Sequence, residues 1–318
     1  MTRDVGQDHL RRGQEVSTFK SFLAGSVSGV AARTVTAPMD ILKIRLQITP
    51  YTRNATNVLS HQSRVWGMVK DIVTKEGLRG FWKGNIPGSI MYVIYGGIQF
   101  SSYSKFNWAL KSFNWPDQVH SAVVGALAGF TGSLCAYPFD VLRTRFVANK
   151  ERTSFKLGKM ITDIWRTEGL QGFYRGCSIS IVAITISSSV IFGTYETIKI
   201  YCDERLSKES HSWLYRSLSS SAGAIGGITS KIITFPIDTV RRRVQIKDSQ
   251  HLGSFFNEHS ERLYLSHQHR GSMKMAMSIL QKEGILGLYR GLLVSLCKNV
   301  PTTMVSLWTY EQIVKQIT

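Results

Sequence analysis

Three stretches of this 318-residue chain, 84–104, 121–139 and 177–195, contain no charged side chain. Each is about twenty residues long, enough for an α-helix to cross the hydrocarbon of a bilayer. Serine, threonine and glycine dilute them, so the mean hydropathy of the chain stays near zero. Such small side chains let helices face one another rather than lipid alone. Three further apolar stretches, near 18–38, 213–236 and 292–314, hold a base in their interior: Arg33, Lys231 and Lys298. The pattern predicts an all-α membrane protein with six transmembrane helices, in pairs joined by long polar stretches.

The pairs are copies of one unit. TAPMDILKIR, YPFDVLRTR and FPIDTVRRR carry Pro38, Pro138 and Pro236. Each is followed by a second motif, EGLRGFWKG at Glu76–Gly84, EGLQGFYRG at Glu168–Gly176 and EGILGLYRG at Glu283–Gly291. Each is preceded by G-x-x-x-G, at Gly25–Gly29, Gly125–Gly129 and Gly223–Gly227. Three motifs in one order, three times, make an internal triplicate. It divides the chain into a tail at 1–17 and repeats at 18–112, 113–208 and 209–318, together one membrane domain. In each unit one helix is expected to end at the proline motif, where Pro breaks the backbone ladder. The acid and base at i and i+3 then share one face. The G-x-x-x-G segments are expected to serve helix packing.

Charge sets the topology. The chain carries 39 Lys and Arg against 21 Asp and Glu, a net +18. The polar stretches 43–83, 143–175 and 241–290 hold 25 bases against 9 acids, and so +16 of that excess. Basic loops on one common side account for it, with the termini opposite; nucleic acid is not needed to explain it. Cys135, Cys177, Cys202 and Cys297 form no C-x-x-C pair, which argues against zinc or a disulfide framework. Asp4, Asp8 and Glu15 argue against a cleaved transit peptide. There is no nucleophile–base set, metal cluster or Gly-rich phosphate loop, so an enzyme is not expected. The interval from proline to EG is longest in the third repeat, where the extra stretch holds His251, His259, His267 and His269. Their spacing is irregular for a metal site, and a polar loop is expected.

The pattern P-x-D-x-x-K/R followed by E-G-x-x-x-x-aromatic-K/R-G, in three repeats, resembles the mitochondrial carrier family. The likeness spans roughly residues 18–315. It implies six tilted helices around a central cavity with pseudo-threefold symmetry, plus three short helices on the matrix side. It also implies a monomer in the inner mitochondrial membrane, with its termini toward the intermembrane space. A matrix gate is implied, made of the pairs Asp40–Arg143, Asp140–Arg241 and Asp238–Lys43. Gln47 and Gln245 are expected to brace two of these pairs, whereas Val147 occupies the matching place in the second repeat. A gate on the opposite side, from aromatic-D/E-x-x-K/R, is matched by Tyr195, Glu196 and Lys199 alone. The aromatic–base–glycine ends, Trp82–Gly84, Tyr174–Gly176 and Tyr289–Gly291, are expected to anchor at the interface or also to hold cardiolipin.

The intramembrane bases point to the solute. A charge at membrane depth costs about 2.5–3.5 kcal/mol on insertion scales, so it implies a function. Arg33 and Lys231 each stand five residues before their proline, and Lys298 stands seven after Gly291. These match the family's cavity positions, with Met91, Tyr92, Ala183, Ile184 and Asn299 beside them. Three bases without an acid suit a small anionic phosphorylated solute, and the apolar neighbours suit a heterocycle. FWKGNIPGS, KIITFP, FGTYETI and YRGLLVSL resemble the fungal branch of the family that carries thiamine pyrophosphate, expected here as cargo with no cofactor. Ala183–Ile184 resembles a pair in nucleotide carriers, which leaves adenine nucleotides and coenzyme A open. A non-transporting adaptor with the same fold is the rival of a different class.

Overall fold

The computed structural model describes residues 18–50, 61–113, 115–149, 157–205, 212–247, 249 and 271–317. The four histidines of the third-repeat insertion fall outside these. Helices and turns, with no strand, make up the described residues.

Repeat one contains α1 (Thr18–Ile48), α2 (His61–Lys75) and α3 (Asn85–Ala109). Repeat two contains α4 (Asp117–Ala148), α5 (Leu157–Phe173) and α6 (Cys177–Arg205). Repeat three contains α7 (Ser212–Ile246), α8 (Ser272–Glu283) and α9 (Ile285–Leu288). It ends with α10 (Leu292–Cys297) and α11 (Asn299–Ile317), which together form a sixth long element broken at Lys298. The 31 residues of α1 reach about 46 Å at 1.5 Å per residue, more than a hydrocarbon core of about 30 Å. Val119–Ala148 and Cys177–Glu204 are apolar enough to cross a membrane by composition alone.

The long helices form a ring. α3 lies along α4, α6 along α7 and α11 along α1. At the end where the polar stretches lie, called here the loop side, α1, α4 and α7 also meet one another. Buried apolar side chains concentrate at that end. Ile41, Ile44 and Ile48 pack with Ile72 of α2; Leu142 packs with Met160 and Ile164 of α5; Val240 packs with Met275 and Ile279 of α8. The spans above expose large apolar side chains such as Ile86, Phe192 and Trp308, as a lipid-facing surface does.

Two expectations need correction. The helices do not end at the prolines: α1, α4 and α7 each run ten residues beyond Pro38, Pro138 and Pro236. A proline removes one N–H and frees the carbonyl four residues back, but the helix can continue if that carbonyl finds another donor. In repeat one the freed Thr34 carbonyl accepts a hydrogen bond from the Trp82 indole at 3.0 Å. Nor do the G-x-x-x-G glycines make the close helix contacts. A Cβ on Gly25, Gly125, Gly223 or Gly227 would meet nothing within 4 Å, and among the six motif glycines only Gly29 is pressed, by the Tyr92 ring. Backbones approach closely at two glycines outside the motif positions, Gly132 against the Tyr95 carbonyl and Gly226, between Gly223 and Gly227, against the Ile191 carbonyl, where an added Cβ would stand 3.1 Å from each carbonyl oxygen.

The second motif has a conformational reason. Gly77, Gly169 and Gly284 open it and Gly84, Gly176 and Gly291 close it, all at φ between 61° and 83°. An L-residue pays about 1–2 kcal/mol there. These two turns carry the chain from the short loop-side helix into the next long one.

Candidate functional site

Because α1, α4 and α7 continue past their prolines, the acid and base of each motif sit on one inward face near the threefold axis. Arg143 donates to Asp40 at 2.6 Å, and Arg241 donates to Asp140 at 2.6 Å. Lys43 stands 4.0 Å from Asp238. Each pair joins two different repeats. The ring is nevertheless unequal. Asp140 also accepts from Arg242 at 3.0 and 3.1 Å and from Gln245 at 2.7 Å. Asp40 accepts from Lys298 at 2.5 Å. Asp238 takes Lys231 at 2.8 Å instead of closing on Lys43.

The two glutamines also differ. Gln245 bonds Thr144, Tyr137, Arg242 and Asp140, and so braces the Asp140–Arg241 pair. Gln47 reaches Thr239 at 3.4 Å instead of the Lys43–Asp238 pair, and its Oε1 has no partner among the described residues. The side chain of Val147 packs with Ile41, Ile44 and Ile48.

Beneath this ring lies a second one that sequence reasoning missed. Arg45, Arg145 and Arg243, seven residues after their prolines, form two-pronged pairs with Glu76, Glu168 and Glu283 of the EG motifs. Lys83 pairs with Glu76 at 2.5 Å, Arg175 with Glu168 at 2.9 Å and Arg290 with Glu283 at 3.7 Å. The same bases cap the last carbonyls of the neighbouring repeat's helix. Arg45 and Lys83 hold Val147 and Asn149, Arg145 and Arg175 hold Gln245 and Lys247, and Arg243 and Arg290 hold Gln47 and Thr49. A helix C-terminus leaves such carbonyls unpaired and partly negative, so cations suit it. The expectation that Lys83, Arg175 and Arg290 anchor outward at the interface is therefore corrected: they turn inward. The signal was present in the sequence, since Arg at that spacing and Glu before Gly occur in all three repeats.

Above the ion-pair ring is a cavity of about 310 Å³. Its lining contains six bases, Arg33, Lys43, Arg143, Arg241, Arg242 and Lys298, and two acids, Asp40 and Asp140. The lining thus carries an excess of four positive charges. Arg33 donates to the Gly88 carbonyl at 2.9 Å and lies 5.6 Å from the Tyr92 ring centre. It makes no ion pair among the described residues, so its charge is not spent on a carboxylate. Met91 and Ile184 line the cavity as well. Lys231, Tyr92, Ala183 and Asn299 do not. Lys231 is drawn down to Asp238, Ala183 is 5 % exposed within the helix packing, and Tyr92 and Asn299 are exposed outside the lining. Arg242 was not anticipated; FPIDTVRRR shows it as a base where the other repeats have Ile44 and Thr144.

At the opposite end, Tyr195 and Glu196 are exposed, and Lys199 stands over the Tyr195 ring at 5.2 Å instead of pairing with Glu196. All three lie on α6, at the end away from the loop side where α1, α4 and α7 converge.

A model of the family described as mitochondrial carrier protein matches residues 14–113, 114–205 and 212–318. The chain belongs to the mitochondrial carrier family. Among its relatives are proteins named mitochondrial thiamine pyrophosphate carrier 1. That of Saccharomyces cerevisiae is 50 % identical over 307 residues, covering 96 % of both chains. The Candida glabrata protein is 47 % identical over 96 % of this chain and 97 % of its own. The Kluyveromyces lactis protein is 42 % identical over 98 % and 95 %. This carrier is thus a solute transporter of a mitochondrial membrane, built on six helices in three repeats. Its three acid–base links lie at one end of a positively charged cavity.

Proposed function

We propose that this carrier exchanges thiamine pyrophosphate across the inner mitochondrial membrane by alternating access, with its termini toward the intermembrane space. The observation that carries the reading is the cavity floor, with its excess of four positive charges and an Arg33 not engaged by any carboxylate. A guanidinium can hold a phosphate through two parallel hydrogen bonds, and a diphosphate offers oxygens to several bases at once. The names and near-complete coverage of the relatives support the choice of solute. Thiamine pyrophosphate is cargo here, not a cofactor.

Arg33 and Lys298 bind the phosphates, with Met91 and Ile184 as apolar wall. The three proline-motif pairs form the matrix gate, with Gln245 as the brace. Lys231 acts on Asp238 of that gate instead of on the solute. Phosphate oxygens compete with Asp40 for Lys298, which couples occupancy to the gate. The Asp40–Arg143 and Asp140–Arg241 links hold this gate shut. Bound solute favours the other state only as far as it binds that state more tightly. Tyr195 and Lys199 close the opposite side in that second state. One chain supplies every link and the whole cavity, so the monomer transports. With Lys83, Arg175 and Arg290 turned inward, a cardiolipin phosphate at these ends would meet the backbone N–H groups that open α3 and α6.

Of the Ala183–Ile184 pair that left adenine nucleotides open, only Ile184 faces the cavity. The test is uptake by liposomes loaded with unlabelled solute and offered labelled thiamine pyrophosphate, ADP or coenzyme A. Saturable exchange preferring thiamine pyrophosphate, abolished by Arg33→Ala in folded protein, is the expected result. A preference for ADP or coenzyme A would replace the solute, and normal uptake by Arg33→Ala would remove Arg33 from the site. Absence of exchange with all three by folded wild type would favour a non-transporting adaptor.

A further inference from the structure

A second cavity, of about 820 Å³, opens between α3, α4 and α6. It shares Tyr95, Ser133, Tyr137, Ser180 and Ile184 with the charged cavity, so the two lie side by side. None of its lining residues carries a charge. It exists because α4 and α6 scarcely touch and because α4 presents Gly125, Ala126 and Gly129 to it. A Cβ on Gly129 would meet nothing nearer than Gln99 Nε2 and the Tyr95 hydroxyl, both at 3.9 Å. Those two polar groups therefore converge on one spot of the chamber wall. Neither makes a hydrogen bond among the described residues.

We infer that this neutral chamber is the ring subsite of the carrier, in which Tyr95 and Gln99 read the edge of an amino-substituted heterocycle whose diphosphate sits on the charged floor. The inference rests on the proposed solute class. Phe130 and Ile184 supply apolar surface for the ring faces. A carboxamide offers a donor and an acceptor side by side, the pattern answered by an exocyclic amine next to a ring nitrogen. The floor recognises charge and cannot tell one phosphorylated compound from another. The chamber makes that choice, since burying Gln99 against a ring that cannot bond it leaves a polar group unpaired.

The test is calorimetric titration of the full chain in lipid nanodiscs with thiamine pyrophosphate and with inorganic pyrophosphate, which has no ring. Gly129→Leu fills the chamber, and Gln99→Leu removes the edge reader while keeping the volume. In each variant the affinity for thiamine pyrophosphate should fall about tenfold or more, while that for pyrophosphate stays within about twofold. Unchanged binding of both ligands would overturn the inference and leave the chamber to lipid. Equal loss of both would overturn it too, as damage to the floor. Should Gly129→Leu fail to fold, Gln99→Leu decides alone. Wild type that binds pyrophosphate as tightly as thiamine pyrophosphate also overturns the subsite, yet keeps the charged floor. Wild type that binds neither removes the proposed function, and the subsite with it.

Discussion

Replacing each proline-motif acid by asparagine in turn should rank three residues that occupy equivalent positions in the repeats. Asp140 receives Arg241 at 2.6 Å, Arg242 at 3.0 Å and Gln245 at 2.7 Å, with its side chain 7 % exposed. Asp40 has Arg143 at 2.6 Å and Lys298 at 2.5 Å, at the same exposure. Asp238 has Lys231 at 2.8 Å and Lys43 at 4.0 Å and is 18 % exposed. Removing one partner from a buried, hydrogen-bonded ion pair costs about 3–5 kcal/mol, because the other charge stays behind without its partner. Solvent contact lowers that cost, down to about 0–1 kcal/mol for a fully exposed pair. At roughly 2.1 cal/mol/K per residue, the unfolding entropy of a chain this long is about 0.7 kcal/mol/K. Asp140→Asn should therefore lower Tm by about 4–7 °C and Asp238→Asn by about 1 °C, with Asp40→Asn between them. The assay is thermal unfolding of purified protein in one detergent, followed by tryptophan emission. An Asp238→Asn drop as large as that of Asp140→Asn would refute the claim that burial and partner geometry, not motif position, set the strength of each link.

Gln245→Leu should destabilise by about 2–3 kcal/mol and Gln47→Leu by under about 1 kcal/mol, since Gln245 holds four partners and Gln47 one at 3.4 Å; the two melting curves decide. Glu283→Gln leaves Arg243 and Arg290 without their carboxylate and should cost about 3–5 kcal/mol, whereas Asp71→Asn, from a pair with Lys75 whose side chains are 55 % and 68 % exposed, should be near silent in the same assay. Gly88→Ala puts a Cβ at 3.0 Å from Arg33 Nη1 and 3.1 Å from Arg143 Nε, so each guanidinium must give by a few tenths of an ångström. The affinity for thiamine pyrophosphate should then fall, by less than the roughly 1.5–3 kcal/mol that a whole hydrogen bond to a charged group is worth. Calorimetry on that variant beside Arg33→Ala, with both melting curves, separates the role of Arg33 from that of Arg143.

Reading along the chain was enough to find the repeats, the six spans and the loop-side charge, while the partners Asp40–Arg143 and Asp140–Arg241 came from the family resemblance. The former follow from one-dimensional facts: length against bilayer thickness, i and i+3 on one helical face, and a threefold repeat that brings equivalent positions together around an axis. The inner ring of Arg45, Arg145 and Arg243 was equally visible as spacing, but its meaning depended on Glu and Arg from segments more than twenty residues apart being buried together. Other features arise only once the helices are packed. Lys231 and Lys43 stand in line for the same Asp238, and only distance says which takes it. Ala183 and Ile184 are neighbours in sequence, yet helical rotation of about 100° per residue aims one into the packing and the other into the cavity. The chamber beside Gly129 is likewise a property of two helices that scarcely touch, and a gap between elements has no letter in the sequence. Spacing within a helix determines which residues share a face. How closely two faces approach is decided by the packing of every side chain between them.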